Sequence, residues 1–254
     1  MPIKGGRLSI TTEEELRGMQ EAGRIVRRVL DAMKAAVRPG ITTLQLDEVG
    51  AQVIRDNKAR SAPAMVYAFP GQNCISLNDE AVHGIPGDRA LQAGDLIKLD
   101  VTVEKDGYMA DAAESVPVGE VSEESRRLCA CAEEAFAKAM LVARAGFRVF
   151  EIGRTVEREV RRNGFSVIRD LGGHGIGRTI HEEPRIPNYA DRTANQILSE
   201  GLVITIEPII AAGSGEIFTD QDGWTVRTVD GNRSAHYEHT IVITKGRPLV
   251  LTAT

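Results

Sequence analysis

Leu96-Ile97-Lys98-Leu99-Asp100-Val101-Thr102-Val103-Glu104, followed by Lys105-Asp106-Gly107-Tyr108-Met109-Ala110-Asp111, is the stretch on which the fold turns. Its first nine residues alternate in the manner of a strand. Asp106-Gly107 is a strong two-residue hairpin signal, so a return strand is predicted from Tyr108. Such a turn sets Lys105 opposite Tyr108 and Thr102 opposite Asp111. Asp100 and Thr102 share a face because side chains alternate with period two. Asp111 is therefore expected on the face of Asp100, one diagonal step away and within reach of a shared ion. Exposed loop carboxylates are the commoner fate of aspartate. Asp100, however, ends an apolar run that should be buried, and a buried acid needs a partner.

Working outward, Gly94-Asp95-Leu96-Ile97-Lys98-Leu99-Asp100 resembles Gly201-Leu202-Val203-Ile204-Thr205-Ile206-Glu207 at an offset of 107, with Asp100 meeting Glu207. Arg38-Pro39-Gly40-Ile41 matches Arg144-Ala145-Gly146-Phe147 at an offset of 106, which also sets Leu46 on Ile152 and Asn57 on Asn163. The segments around these matches correspond in kind. Thr12 and Glu15 form a capping box ahead of an apolar stripe (Leu16, Met19, Gly23, Val26, Leu30, Met33, Val37) that Pro39-Gly40 ends. A second helix is predicted over about Thr43–Asn57, with Leu46, Val49 and Val53 inward. Strands and turns follow from Pro63 to Val118, helices return over about Glu123–Ala145 and Phe150–Asn163, and strands fill the remainder. Chance likeness between helix–loop–helix segments would give these matches, and so would two copies of one ααβ unit. Two copies would pair face to face, each delivering an acid to the same place.

Glu207 closes a nearly all-apolar run and precedes Pro208, and Glu238 leads into Ile241-Val242-Ile243. With Asp100 and Asp111 this makes four embedded carboxylates, which cannot all stay charged side by side unless a cation balances them. No comparable set of embedded Lys or Arg is evident. Two divalent ions would cancel four carboxylates, which points to a dinuclear metal site. Five histidines are present: His83, His174, His181, His236 and His239. Three of them lie in Gly-rich or Gly/Pro-flanked segments read as loops, where functional residues concentrate. Gly172-Gly173-His174-Gly175-Ile176-Gly177 only superficially resembles a phosphate loop. Its glycines instead permit close backbone approach around a histidine held at a metal. His181-Glu182-Glu183-Pro184 lacks the second histidine of a zinc-protease helix, and Pro184 would disrupt that helix. A satisfied core or surface histidine is the plainer alternative for each ring.

The chain has 254 residues, 42% hydrophobic and 26% charged, the composition of a folded protein rather than a disordered one. Lys+Arg number 31 and Asp+Glu 36, a net charge of −5, so no basic surplus exists to neutralise a phosphate backbone and nucleic-acid specificity is not expected. Contact with the ribosome through a local basic patch stays open. No apolar run is long enough for a membrane span, and Met1–Ile10 lacks the apolar stretch of an export signal. Cys74, Cys129 and Cys131 form no CxxC pair. Their odd number suggests reduced thiols and a cytoplasmic setting.

Six segments then carry a family resemblance: Asn78-Asp79-Glu80-Ala81-Val82-His83-Gly84-Ile85-Pro86, Leu99-Asp100-Val101-Thr102-Val103, Gly173-His174-Gly175-Ile176-Gly177, His181-Glu182-Glu183-Pro184, Ile206-Glu207-Pro208 and Tyr237-Glu238-His239-Thr240. In this order and spacing they resemble the type I methionine aminopeptidases of the pita-bread metallopeptidase fold, over residues 10–250. The resemblance implies an α+β fold, a curved antiparallel sheet covered by helices with pseudo-twofold halves of about 10–118 and 119–250. It implies a single catalytic domain spanning 1–254. The implied metal ligands are Asp100, Asp111, His174, Glu207 and Glu238, holding two divalent ions (Co, Mn, Fe or Zn). Glu207 would also carry a proton, His181 would stabilise an oxyanion, and His83 would hold the substrate backbone. Phe69, Cys74 and Trp224 would line the methionine pocket, with Ile180 where an aromatic residue is common. The implied activity is removal of the initiator methionine from nascent polypeptides, favouring small second residues, by a cytoplasmic monomer. Ala110-Asp111-Ala112-Ala113 departs from the usual surroundings of its ligand, and Lys98 occupies a position that makes an accessory monovalent ion doubtful. Rival readings are a proline-specific peptidase, which usually carries an additional N-terminal domain, a creatinase-like metal-free enzyme, which would lack the ligands, and a non-catalytic binding protein, which should have lost them too.

Overall fold

The computed structural model describes residues 9–253. The reading of the opening segment falls largely outside them. Helix α1, Glu13–Ala36, begins with the expected capping box: the Thr12 hydroxyl accepts from the Glu15 N–H, and the Glu15 carboxylate accepts from the Thr12 N–H. Three acids in its first turn suit the positive end of the helix dipole. Helix α2, Thr43–Asp56, opens with a second capping box, between Thr42 and Gln45. Leu46 points inward, and Val49 and Val53, half-buried, pack against the same core. Gly50 and Ile54 face it as well, and α2 approaches so closely that a Cβ on Gly50 would meet Asn73 Nδ2 at 2.6 Å and Met33 Sδ at 2.8 Å.

These helices cover a four-stranded antiparallel sheet. Leu96–Lys105 pairs along its whole length with Tyr108–Pro117 on one edge, and on the other edge with Cys74–Leu77 and then Arg60–Ser61. The hairpin register is the expected one, with Lys105 opposite Tyr108 and Thr102 opposite Asp111. Met19, Ile25, Leu30 and Met33 of α1 pack with Leu46, Ile75, Leu99 and Val101 in one core.

The pattern then recurs. Helices α4, Glu123–Ala139, and α5, Val149–Arg162, pack with a five-stranded sheet ordered Leu249–Val250, His239–Val242, Val203–Ile206, Gly172–Gly175, Glu182–Pro187. Leu128, Phe136, Ile152 and Val156 meet Ile204, Ile206 and Ile241 in a second core. Helices α2 and α5 are each 14 residues long. They start at Thr43 and Val149, in keeping with the repeat offset of 106. This favours two copies of one unit over chance likeness.

Two expectations need correction. Residues 62–67 form a short helix, α3 (Ala62–Tyr67), within a stretch read as strands and turns; Ser61 caps it, with Pro near its start. Six residues are too few to display a helical period. Helix α4 stops at Ala139 rather than near Ala145: Met140 to Ala143 continue as turns bonded back to its last turn, and beyond them Ala145 N–H donates to Thr244 O at 2.8 Å and Gly146 N–H to Leu198 O at 2.9 Å.

The halves are stitched where the strand Tyr108–Pro117 runs beside Tyr237–Thr240. The backbones of Ala113 and Glu238 exchange hydrogen bonds, and Glu114 bridges Tyr237. This seam brings the carboxylates of the two copies together.

Candidate metal centre

Each half contributes acids through its strands. Asp100 and Asp111 stand on adjacent strands of the first sheet, while Glu207 and Glu238 flank adjacent strands of the second. His174 lies on the strand Gly172–Gly175 rather than in a loop. The glycines around it serve the close approach expected of them. A Cβ on Gly173 would lie 2.4 Å from Thr205 O, and one on Gly175 would lie 2.3 Å from Glu183 O. His174 Nδ1 is 2.9 Å from Gly175 O, which fixes it as the protonated nitrogen. Nε2 is left as a lone-pair donor, 3.5 Å from Glu207 Oε1.

Asp111, His174 and Glu238 each offer a ligand atom within 4.8 Å of the others'. Asp111 Oδ1 and Glu238 Oε1 are buried without a hydrogen-bond partner. Glu207 Oε1 accepts from Thr205 Oγ1 at 3.0 Å. Asp100 pairs in register with Cys74 and ends its apolar run half-buried at the same place, within hydrogen-bond reach of Asp111. With no cation, burial pushes the Asp100 carboxyl up to about 7 and that of Glu207 up to about 8. Burial and then neighbouring carboxylates push Asp111 and Glu238 well above their usual range. Burial also holds His174 down to about 4, so its ring stays neutral and fit to bind an ion. Orphaned oxygens, mutually repelling carboxylates and a neutral imidazole are what divalent cations would satisfy. The donor set fits such ions.

Lys98 is the embedded lysine that the charge argument overlooked, being 1% exposed. Its Nζ donates to Asn78 O at 2.7 Å; burial pushes its ammonium down to about 7, against Glu80 and Asp79, which favour its charge. It therefore does not offset the four carboxylates of the centre.

A cavity of about 500 Å³ opens over the centre, and all the predicted site residues line it: Phe69, Cys74, His83, Asp100, Asp111, His174, Ile180, His181, Glu207, Trp224 and Glu238. Phe69 and Trp224 pack edge to face, 5.2 Å between centroids. Trp224 is half-buried, a cavity wall rather than a core residue. The His181 ring lies 4.3 Å from the His174 ring, and its Nδ1 is 2.6 Å from Tyr67 Oη. Burial, followed by the nearby His174 and His83, drives His181 down to about 2 and keeps it neutral. His83 is held down to about 4, again chiefly by burial.

Tyr67 and His236 are among the lining residues that escaped the sequence reading. Tyr67 closes α3, the helix too short to be foreseen. His236 lies two positions before Glu238 on a three-residue strand; that spacing on one strand face was its available signal.

The model of metallopeptidase family M24 matches residues 17–245. Methionine aminopeptidase 2 of Bacillus subtilis is 45% identical over 245 residues, covering 96% of this chain and 98% of the relative. The crystal structure of methionine aminopeptidase from Rickettsia prowazekii superposes with a TM-score of 0.93 at 36% identity, covering 97% of this chain and all of that one. Prolidase from Pyrococcus furiosus shares the fold at a TM-score of 0.77 and 23% identity, with 96% of this chain and 65% of that chain covered. With this sequence similarity and a shared pita-bread fold, the chain belongs to metallopeptidase family M24, among the type I methionine aminopeptidases that its residues resemble.

Proposed function

We propose that this protein is a metal-dependent aminopeptidase that removes N-terminal methionine from nascent polypeptides, favouring small second residues. We read residues 1–254 as one catalytic domain, acting as a cytoplasmic monomer. The observation that carries the reading is the shared cavity: four carboxylates and His174 converge at one side, and Phe69, Cys74, Ile180 and Trp224 supply apolar and sulfur-friendly walls. The oxygen-rich set of Asp100, Asp111, His174, Glu207 and Glu238 suits two ions of Mn²⁺, Fe²⁺, Co²⁺ or Zn²⁺. Such ions, when bound, acidify a coordinated water toward neutrality and polarise a carbonyl.

The chain's own residues do the rest. Glu207, buried beside the other carboxylates, moves a proton from water to the leaving amine in this reading. His181 stabilises the oxyanion formed at the carbonyl of the first substrate residue. For its Nε2 to donate, Nδ1 must accept, and the Tyr67 hydroxyl 2.6 Å away is the group that donates to it. His83, at the cavity edge, holds the substrate backbone. The test is hydrolysis of Met-Ala-Ser against Ala-Pro peptides after reconstitution with a divalent metal. Release of methionine from Met-Ala-Ser, with Ala-Pro peptides left intact, is expected; the reverse preference would mark a proline-specific peptidase.

A further inference from the structure

His236 ends the strand Ser234–His236 and is 2% exposed. Neither of its ring nitrogens has a hydrogen-bond partner. Nε2 instead faces two acids, 3.5 Å from Glu238 Oε2 and 3.6 Å from Glu207 Oε2. A buried imidazole with both nitrogens unsatisfied costs folding free energy unless something absent from the protein itself completes it. Glu207, His236 and Glu238 each offer a ligand atom within 4.8 Å of the others', the same closeness found for Asp111, His174 and Glu238. The two groups of three share Glu238. Each contains one imidazole and two carboxylates.

We propose that His236 is a further ligand of the metal centre, completing with Glu207 and Glu238 the hold on one of its divalent ions. This rests on the metallopeptidase reading above and adds a sixth protein ligand to it. A second imidazole makes the centre less purely oxygen-donating, and so shifts its preference from Mn²⁺ toward Co²⁺, Zn²⁺ and Fe²⁺. The competing role for His236 is that of a hydrogen-bond donor to the two acids. Glutamine separates the roles, since its amide N–H can donate to the same carboxylates but cannot supply an imidazole nitrogen.

The experiment titrates Co²⁺ into metal-free wild-type protein and His236→Gln, following heat and visible absorption. Wild type should take up two ions. His236→Gln should retain one and bind the other at least ~10-fold more weakly, with a changed cobalt spectrum, as expected for loss of a ligand rather than of an outer contact. Two equivalents bound by His236→Gln with unchanged affinity and spectrum would overturn the proposal. Should the variant fail to fold, wild-type protein labelled with ¹⁵N-histidine and loaded with Mn²⁺ decides by pulsed electron paramagnetic resonance: two coupled imidazoles support it, and one overturns it. Methionine release from Met-Ala-Ser is measured separately. A wild-type protein with two bound imidazoles but no such activity would refute the proposed function and leave the ligand assignment standing.

Discussion

Thr240 Oγ1 accepts a hydrogen bond from the Asp111 N–H at 2.9 Å and donates one to the Asp111 C=O at 2.8 Å. The two residues lie 129 positions apart, one in each half. One hydroxyl thus satisfies both backbone groups of a candidate ligand and holds the seam on which the centre is built. Thr240→Val keeps the shape and removes both bonds, leaving two buried backbone groups unpaired. A loss of about 2–4 kcal/mol is expected in denaturant unfolding, with weakened metal binding. Thr240→Ser should restore most of both.

Tyr67 Oη and His181 Nδ1 form the second decisive pair. Tyr67→Phe leaves the ring in place and removes the group that sets the His181 tautomer. The expected outcome is a fall in kcat of about tenfold, the worth of roughly one hydrogen bond, with KM and melting temperature nearly unchanged. Steady-state kinetics on Met-Ala-Ser beside a thermal melt checks it. An unchanged kcat would mean that Tyr67 does not orient His181.

Trp224 stands edge-on to Phe69 at the cavity wall. A thioether beside these rings gains about 0.3–1.5 kcal/mol, so Trp224→Ala should raise KM for methionyl substrates by about 2- to 10-fold. Because the side chain is half-buried, melting temperature should fall little. A large melting loss with KM unchanged would make Trp224 a packing residue.

The proposed function gives His174 the role of metal ligand and His181 that of oxyanion donor. His174→Ala should lower bound metal and turnover together. His181→Ala should keep both ions yet lose about 10²–10³-fold in kcat, as for an oxyanion donor. Metal content of the two purified variants decides the division. Equal metal loss in both would show that the roles are shared.

Much of this is legible in the sequence itself, for local reasons. Asp106-Gly107 fixes the hairpin register, and the register alone puts Asp111 on the face of Asp100. The capping box at Thr12 and Glu15 marks the start of α1 to the residue. Four acids embedded in apolar strands call for a balancing cation once the two halves bring them together. What stayed hidden depends on long-range packing. Tyr67 sits in a helix of six residues, below the length at which periodicity speaks. His236 matters only because its short strand pairs with Ile209–Ala211, which places it against Glu207. Beyond the early end of α4, the chain is held by hydrogen bonds to Thr244 and Leu198, about 50 to 100 positions downstream.

The most direct test of the metal-dependent reading is a titration of divalent ion into chelator-treated protein, following release of methionine from Met-Ala-Ser. Metal-free protein should be inactive, activity should rise with bound ion, and Glu207→Gln should fold yet show no turnover at any metal concentration. Full activity in the metal-free protein, or in Glu207→Gln, would contradict the account.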